Sequence, residues 1–171
     1  VTSPRDRALA VAPWLALAAL VAWSAWQRWH LLTATPHPVG IDGYFYAIQT
    51  RSLVEHGALA YPAAPLTFWL MAALAQVVDV ITAVKLVAAL GGALAVVPAF
   101  AIGRRLGGVA GGLAAAVLIA TSGGSFYLSL EFVKNGVGLT VGLGAIWLGL
   151  RALETPTRGA VIAAAAGAVA A

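Results

Sequence analysis

"PLTFWLMAALAQVVDVITAV", residues Pro65 to Val84, is apolar enough to cross a membrane, yet it carries features that belong at a membrane surface. As a helix it would rise about 30 Å, the thickness of a bilayer's hydrocarbon core. Against crossing, it follows a "PAAP" turn, contains Asp79 and runs into Lys85, all easier to satisfy at a wet interface than in lipid. Its path sets the parity of everything that follows. If it crosses, Arg104, Arg105, Arg151 and Arg158 fall on the side opposite Arg5 and Arg7, against the bias of basic residues toward the cytoplasmic side. If it lies in the outer interface, all six arginines share the inner side. The second arrangement is expected, and it puts Asp42 and Glu131 on one outer face.

Composition supports a membrane setting for the whole chain. Of its 171 residues 61% are hydrophobic and 9% charged, and mean hydropathy is +0.92, whereas soluble domains carry roughly 25% charged residues. This is the composition of an integral membrane protein. Cysteine is absent, which excludes disulfides and thiolate chemistry. The net charge of +4 is spread over few residues, a topology signal rather than a nucleic-acid surface, so no nucleic-acid partner is expected.

Working outward, the expected fold is an all-α polytopic membrane module. Spans are expected over residues 8–27, 86–102, 109–127 and 136–150, with the start of a fifth at 159–171. An outer loop with interfacial helices occupies 33–85, and a second outer loop occupies 122–135. Trp23, Trp26 and Trp29 close the first span like an interfacial belt. A cleaved signal peptide is the alternative there, but the apolar run is long and no small-residue cleavage site follows it. Gly107 and Gly111, Gly108 and Gly112, and Gly138 and Gly142 have the small-xxx-small spacing of closely packed helices. "GGVAGG" has no strand before it and so is not a phosphate-cradling loop. The tail is too short to span, and the chain reads as the N-terminal part of a longer protein.

The first loop holds "GIDGYFYA", with Asp42 between two glycines and ahead of a helix expected from Tyr44 to His56, stopping at Gly57. A carboxylate there can cap the helix, a contribution of about 1 kcal/mol. It can equally serve chemistry, since a helix N-terminus stabilises the ionised acid. Tyr44 and Tyr46 are candidates for stacking on a sugar, or simply interfacial aromatics. The second loop reads "TSGGSFYLSLEFVKNGVGL" and brings Glu131, Lys134 and Asn135 to the mouth of the next span. Glu131 and Lys134, three apart, could pair on one helix face; polar groups at membrane depth also tend to be functional.

"GIDGYFYA", "APLTFWL", "GRRLGG" and "EFVKNGVGL", in that order, together resemble the GT-C membrane glycosyltransferases. Within them the chain is most similar to the protein O-mannosyltransferase, aminoarabinose transferase and oligosaccharyltransferase branches, over roughly Ala8 to Arg151. The resemblance implies a GT-C-like N-terminal module and an enzyme of the plasma membrane. Such an enzyme takes a sugar from a polyprenyl-phosphate donor at the extracytoplasmic face and passes it to a protein, lipid or glycan acceptor. It implies that Asp42 acts beside the acceptor as base or cation ligand and that Glu131 faces the same cavity. Two departures stand out. Ser129 in "SLE" occupies the place of a first paired acid, and Ala63 and Ala64 replace the lysine that precedes the prolines in some relatives.

In chemical terms, attack on an anomeric carbon needs a base on the acceptor and charge compensation on the leaving phosphate. Asp42 and Glu131 are the expected catalytic acids and could share Mg²⁺ or Mn²⁺, which favour oxygen ligands. Lys134 is expected to meet the phosphate, with Asn135, Tyr44 and Tyr46 as further substrate contacts. His30, His37 and His56 lack metalloprotease spacing, and Ser122, Ser125 and Ser129 lack a local base. Two other classes stay open: a transporter piece with Asp42, Asp79 and Glu131 along an ion path, and a non-catalytic membrane scaffold whose loop acids cap helices.

Overall fold

The structure is a computed structural model that describes residues 4–170, with side chains from Ala10 to Val169. The described residues form eight helices: α1 Pro4–Leu32, α2 Gly43–His56, α3 Leu66–Leu74, α4 Val80–Leu94, α5 Val96–Thr121, α6 Gly123–Leu130, α7 Val133–Glu154 and α8 Arg158–Ala170. Alanine and leucine, which lose little on entering a helix, dominate the long ones. Their apolar residues run all round the axis, as lipid-embedded helices require.

α4 and α5 begin as one rod. Pro98 has no N–H to donate to the carbonyl of Leu94, so the helix is interrupted only at Ala95, which keeps helical angles. The rod ends at Gly107 (φ −139°, ψ 28°) and Gly108 (φ 62°, ψ −157°), the latter a conformation essentially reserved for glycine. The chain then doubles back. A Cβ on Gly103 would lie 2.5 Å from the carbonyl oxygen of Gly111, whereas residues eight apart on a straight helix sit about 12 Å from each other. Val80–Thr121 is long and apolar enough to cross a membrane, but it is a hairpin, with Gly103 and Gly111 as its closest seam. The expected contact role of Gly107 and Gly108 is thereby corrected: they make the reversal.

α1 runs antiparallel to the rod. Trp14 packs on Phe100 with ring centroids 5.7 Å apart at one end, and Lys85 Nζ donates to the Thr35 carbonyl at 2.6 Å near the other. α7 runs parallel to the rod: Val137 meets Gly91, and Arg105 donates to the Leu150 carbonyl at 2.9 Å and pairs with Glu154. α8 folds back along α7, with Gly167 against Ala145. Helices long and apolar enough to cross a membrane are Ala10–Leu32, Val80–Thr121 and Val133–Glu154; the chain is an all-α integral membrane protein.

The molecule therefore has a loop end, with Asp42 and Glu131, and an arginine end, with Arg104, Arg105 and Arg151. The first turns of α1, which carry Arg5 and Arg7, lie at the arginine end; their side chains fall outside the described ones. Pro65 to Val84 is not one continuous helix. α3 has 9 residues, about 13 Å of helix, less than half the hydrocarbon thickness. It is pinned at the loop end by Phe68 and Met71, which are buried with Tyr46, Val84, Val87 and Val133. The rod starts at Val80, not Leu86, because Asp79 caps it by accepting from Thr82 N at 3.0 Å. The other end of the bundle has its own apolar cluster of Leu17, Val96, Phe100, Ala116 and Ala120.

Candidate active site

The two glycines around Asp42 have separate physical reasons. Gly40 has φ 85°, and a Cβ there would lie 2.3 Å from the carbonyl oxygen of Leu130, so the first loop passes directly against the end of α6. Gly43 is buried with Pro38, which a Cβ would meet at 3.0 Å. Between them, Ile41 N donates to Glu131 Oε2 at 2.7 Å. That bond ties the turn holding Asp42 to the second loop. It follows from chain geometry that Asp42 Cα lies within about 8 Å of the Glu131 oxygen.

Asp42 stands at the N-cap position of α2 but makes no capping bond with its side chain. Its backbone angles (φ −87°, ψ 2°) differ from the extended form in which a cap side chain reaches the first-turn N–H groups. Capping therefore does not account for this acid. Its carboxylate is half-buried and makes no ion pair among the described residues. Glu131 and Lys134 do not pair either among the described residues. Glu131 turns to the first loop, while Lys134 Nζ sits 5.7 Å from the Phe45 ring centroid.

Tyr46 is placed differently from expectation. Its ring is 1% exposed and stacked on Phe68 at 5.9 Å, so neither face is open to a sugar. The hydroxyl instead accepts from Lys134 N at 3.3 Å, fixing the start of α7 to α2. Burial pushes the phenol pKa up; the Lys134 N–H bond opposes this and the charge of Asp42 adds to it. Tyr44 is exposed, within hydrogen-bond reach of His37 Nδ1 at 3.3 Å. It lines a cleft of about 340 Å³ together with Arg51, Glu55 and His56, none of which the sequence reading had singled out for the site. Asn135 is exposed in the first turn of α7. The link between α2 and α3 is stiffened by Gln49, which donates to the Tyr61 carbonyl at 2.7 Å and accepts from Tyr61 N at 2.9 Å.

A further residue escaped sequence reasoning altogether. Arg28 is wholly buried in α1, where Nε donates to Ser129 Oγ at 3.0 Å, Nη2 to Ser125 Oγ at 2.7 Å and Nη1 to Ser24. Its guanidinium also lies 4.2 Å from the Phe126 ring centroid. No carboxylate pairs with it among the described residues. The network anchors α6, and thus Glu131 just beyond it, to α1 and to Gly92 of the rod, where a Cβ would lie 2.1 Å from Ser129 Oγ. The i, i+4 spacings of Ser125 with Ser129 and of Ser24 with Arg28 were the available signal.

No group of three or more His, Cys, Asp or Glu side chains able to hold a metal ion occurs among the described residues. Asp42 and Glu131 offer a hard cation two carboxylates, one oxygen of which already accepts from Ile41. Such a pair fits only a site completed by water and substrate phosphate, the usual manner of Mg²⁺.

No curated protein and no solved structure matches this chain. A family model, dolichyl-phosphate-mannose-protein mannosyltransferase, matches residues 62–171. The match covers α3 to α8, hence Glu131, Lys134 and the α4–α5 hairpin, while Asp42 and α2 precede it. With the resemblance in the two loops, the helical bundle and this match in agreement, the chain belongs to the dolichyl-phosphate-mannose-protein mannosyltransferase family, a GT-C-like group of membrane glycosyltransferases.

Proposed function

We propose that this chain carries the acceptor-side acids of an enzyme that moves a sugar, mannose in the first instance, from a polyprenyl-phosphate carrier to a protein, lipid or glycan acceptor. The loop end is then the extracytoplasmic face of the plasma membrane, with Arg104, Arg105 and Arg151 on the cytoplasmic side as charge bias favours. The observation that carries this reading is the Ile41–Glu131 bond, which draws the second-loop acid to the turn holding Asp42 while Asp42 leaves its own helix uncapped.

In the reaction an acceptor hydroxyl oxygen attacks the anomeric carbon, the bond from that carbon to the phosphate oxygen breaks, and its electron pair stays with the phosphate. Asp42 takes the hydroxyl proton. Lys134, at the start of α7 and without a carboxylate partner among the described residues, compensates the charge on the departing phosphate. Glu131 holds the first loop in place and orients the acceptor. A Mg²⁺ or Mn²⁺ ion between the two acids would supply further charge neutralisation. Tyr44 and Asn135, both exposed, are the remaining substrate contacts, and Tyr46 acts by fixing Lys134.

An ion path finds less support. Asp42, Asp79 and Glu131 flank helix ends at the loop end, whereas conduction needs acids at mid-depth. The test is sugar transfer from polyprenyl-phosphate mannose by the intact protein and by Asp42→Asn. The reading requires the variant to lose transfer; transfer at the parent rate would reduce Asp42 to a loop residue.

A further inference from the structure

The bundle contains a second feature, at the end far from Asp42. Between α1 and α7, with the rod as its floor, lies a slot of about 560 Å³ lined by apolar side chains, including Trp14, Leu94, Phe100 and Trp147. It opens sideways, where Trp14, Leu94 and Val97 are exposed. Leu94 to Arg104 is about ten residues of helix, roughly 15 Å, which is half the hydrocarbon thickness. The slot therefore runs from the membrane surface to mid-bilayer, the depth filled by the acyl chain of one leaflet.

Charge is concentrated at its surface mouth. The Arg104 guanidinium lies 5.2 Å from the Trp14 ring centroid and that of Arg151 lies 5.8 Å from the Trp147 ring centroid. Both tryptophans are slot walls, so the two cations flank the opening. Arg105 beside them is neutralised by Glu154. Arg104 and Arg151 have no carboxylate partner among the described residues, and both are exposed. A cation resting on an aromatic face keeps its outer N–H groups available to an anion.

We infer that this slot binds an anionic phospholipid from the leaflet at the arginine end: one acyl chain lies between α1 and α7, and the head-group phosphate meets Arg104 and Arg151. Charge complementarity selects the occupant. A zwitterionic lipid would satisfy the walls and bring a phosphate, but its own ammonium would oppose the two arginines, while anionic lipids, whose net charge complements them, are enriched in the cytoplasmic leaflet, where basic side chains attract them. The site is independent of sugar chemistry, lying at the opposite end of the rod from Glu131.

The test uses the intact protein in phosphatidylcholine vesicles containing a minor fraction of lipid brominated on its acyl chains, either phosphatidylglycerol or phosphatidylcholine. Tryptophan quenching is the readout, and Trp14→Phe/Trp147→Phe isolates the contribution of the slot. Brominated phosphatidylglycerol should quench Trp14 and Trp147 with an apparent affinity about 30-fold above that of its phosphatidylcholine counterpart. Arg104→Gln/Arg151→Gln should abolish the preference. Gly144→Leu should abolish it too by filling the slot: a Cβ at Gly144 meets nothing within 4 Å, and leucine is the better helix former, so the fold is kept. Equal quenching by both lipids in the parent overturns the inference, as does quenching by neither, which would mean protein fills the slot. A preference that survives Gly144→Leu would mean the arginines merely gather head groups at the surface, and overturns it equally.

Discussion

Asp42 and Asp79 occupy the same position, the residue before the first turn of a helix at the loop end, and they behave in opposite ways. Asp79 is extended (φ −66°, ψ 157°) and accepts from Thr82 N, so its charge is committed to α4 and starts the rod at the correct residue. Asp42 has ψ 2° and accepts nothing from α2. The first loop is secured instead by a carboxylate from elsewhere in the chain, Glu131 on Ile41 N. A helix whose own acid could cap it, but which is held by a distant one, has an acid to spare. That is the physical content of the difference: one aspartate caps its helix, and the other, which caps nothing, is the one to which the proposed chemistry is assigned.

The sharpest way to break the comparison is Asp42→Asn, an isosteric change that removes only the charge and the base. Transfer should fall about 10²- to 10⁴-fold with the unfolding temperature unchanged, as judged by product formation and a thermal melt of the same preparation. Loss of both together would put Asp42 in the structural class with Asp79. Next is Arg28→Leu, which strips three buried serines of their common donor and frees α6. It should cost about 2 kcal/mol of stability and lower transfer although neither acid is touched. A melt at parent temperature would show that α6 is held by other contacts.

Glu131→Gln retains an acceptor for Ile41 N–H and loses the charge. The loop should stay in place, with melting unchanged, while transfer drops about tenfold if the charge assists Asp42; full activity would confine Glu131 to a clasp. Smallest is Asp79→Ala, expected to cost about 1 kcal/mol and to leave the chemistry intact in the same assay. The Thr82 hydroxyl and N–H hold the Asp79 carboxyl below its ordinary value of 3.8. Its stabilisation is therefore fully present above that pH and lost as pH falls through the lowered value. A denaturation series into acid should show this loss in the parent and not in Asp79→Ala.

The fold was legible where one strong local effect acts. Gly57 ends α2 in the left-handed conformation (φ 70°) that glycine permits; Gly107 and Gly108, read as helix contacts, were not recognised as the reversal that the Gly108 backbone angles make. Charge bias led to the expectation that Pro65 to Val84 stays at one interface, but the point at which its helix breaks was not legible. Thr82 had to be recognised as the partner of Asp79, and in an apolar run a capping aspartate resembles any interfacial acid. The candidate site was read from the sequence as a list of loop residues, without their arrangement. Asp42 invites a capping reading by position, and only the backbone angle denies it. Tyr46 looks like its neighbour Tyr44 in sequence, but Phe68 covers it from another element. Arg28 was not singled out, since Ser125 and Ser129, which surround it, come from a distant part of the chain. Each of these depends on long-range packing, which local pattern does not encode.

The central claim is that the acids meet because the chain from Thr33 to Asp79 leaves and re-enters the bundle at one end. The absence of native cysteine permits a direct measurement: single cysteines at Ile41, Val77 and Leu106, all exposed, labelled in intact cells with a membrane-impermeant maleimide. The account predicts that Ile41→Cys and Val77→Cys are labelled from outside and that Leu106→Cys reacts only after the membrane is opened. Val77→Cys protected while Ile41→Cys is labelled would mean that Pro65 to Val84 traverses the lipid, and would contradict it.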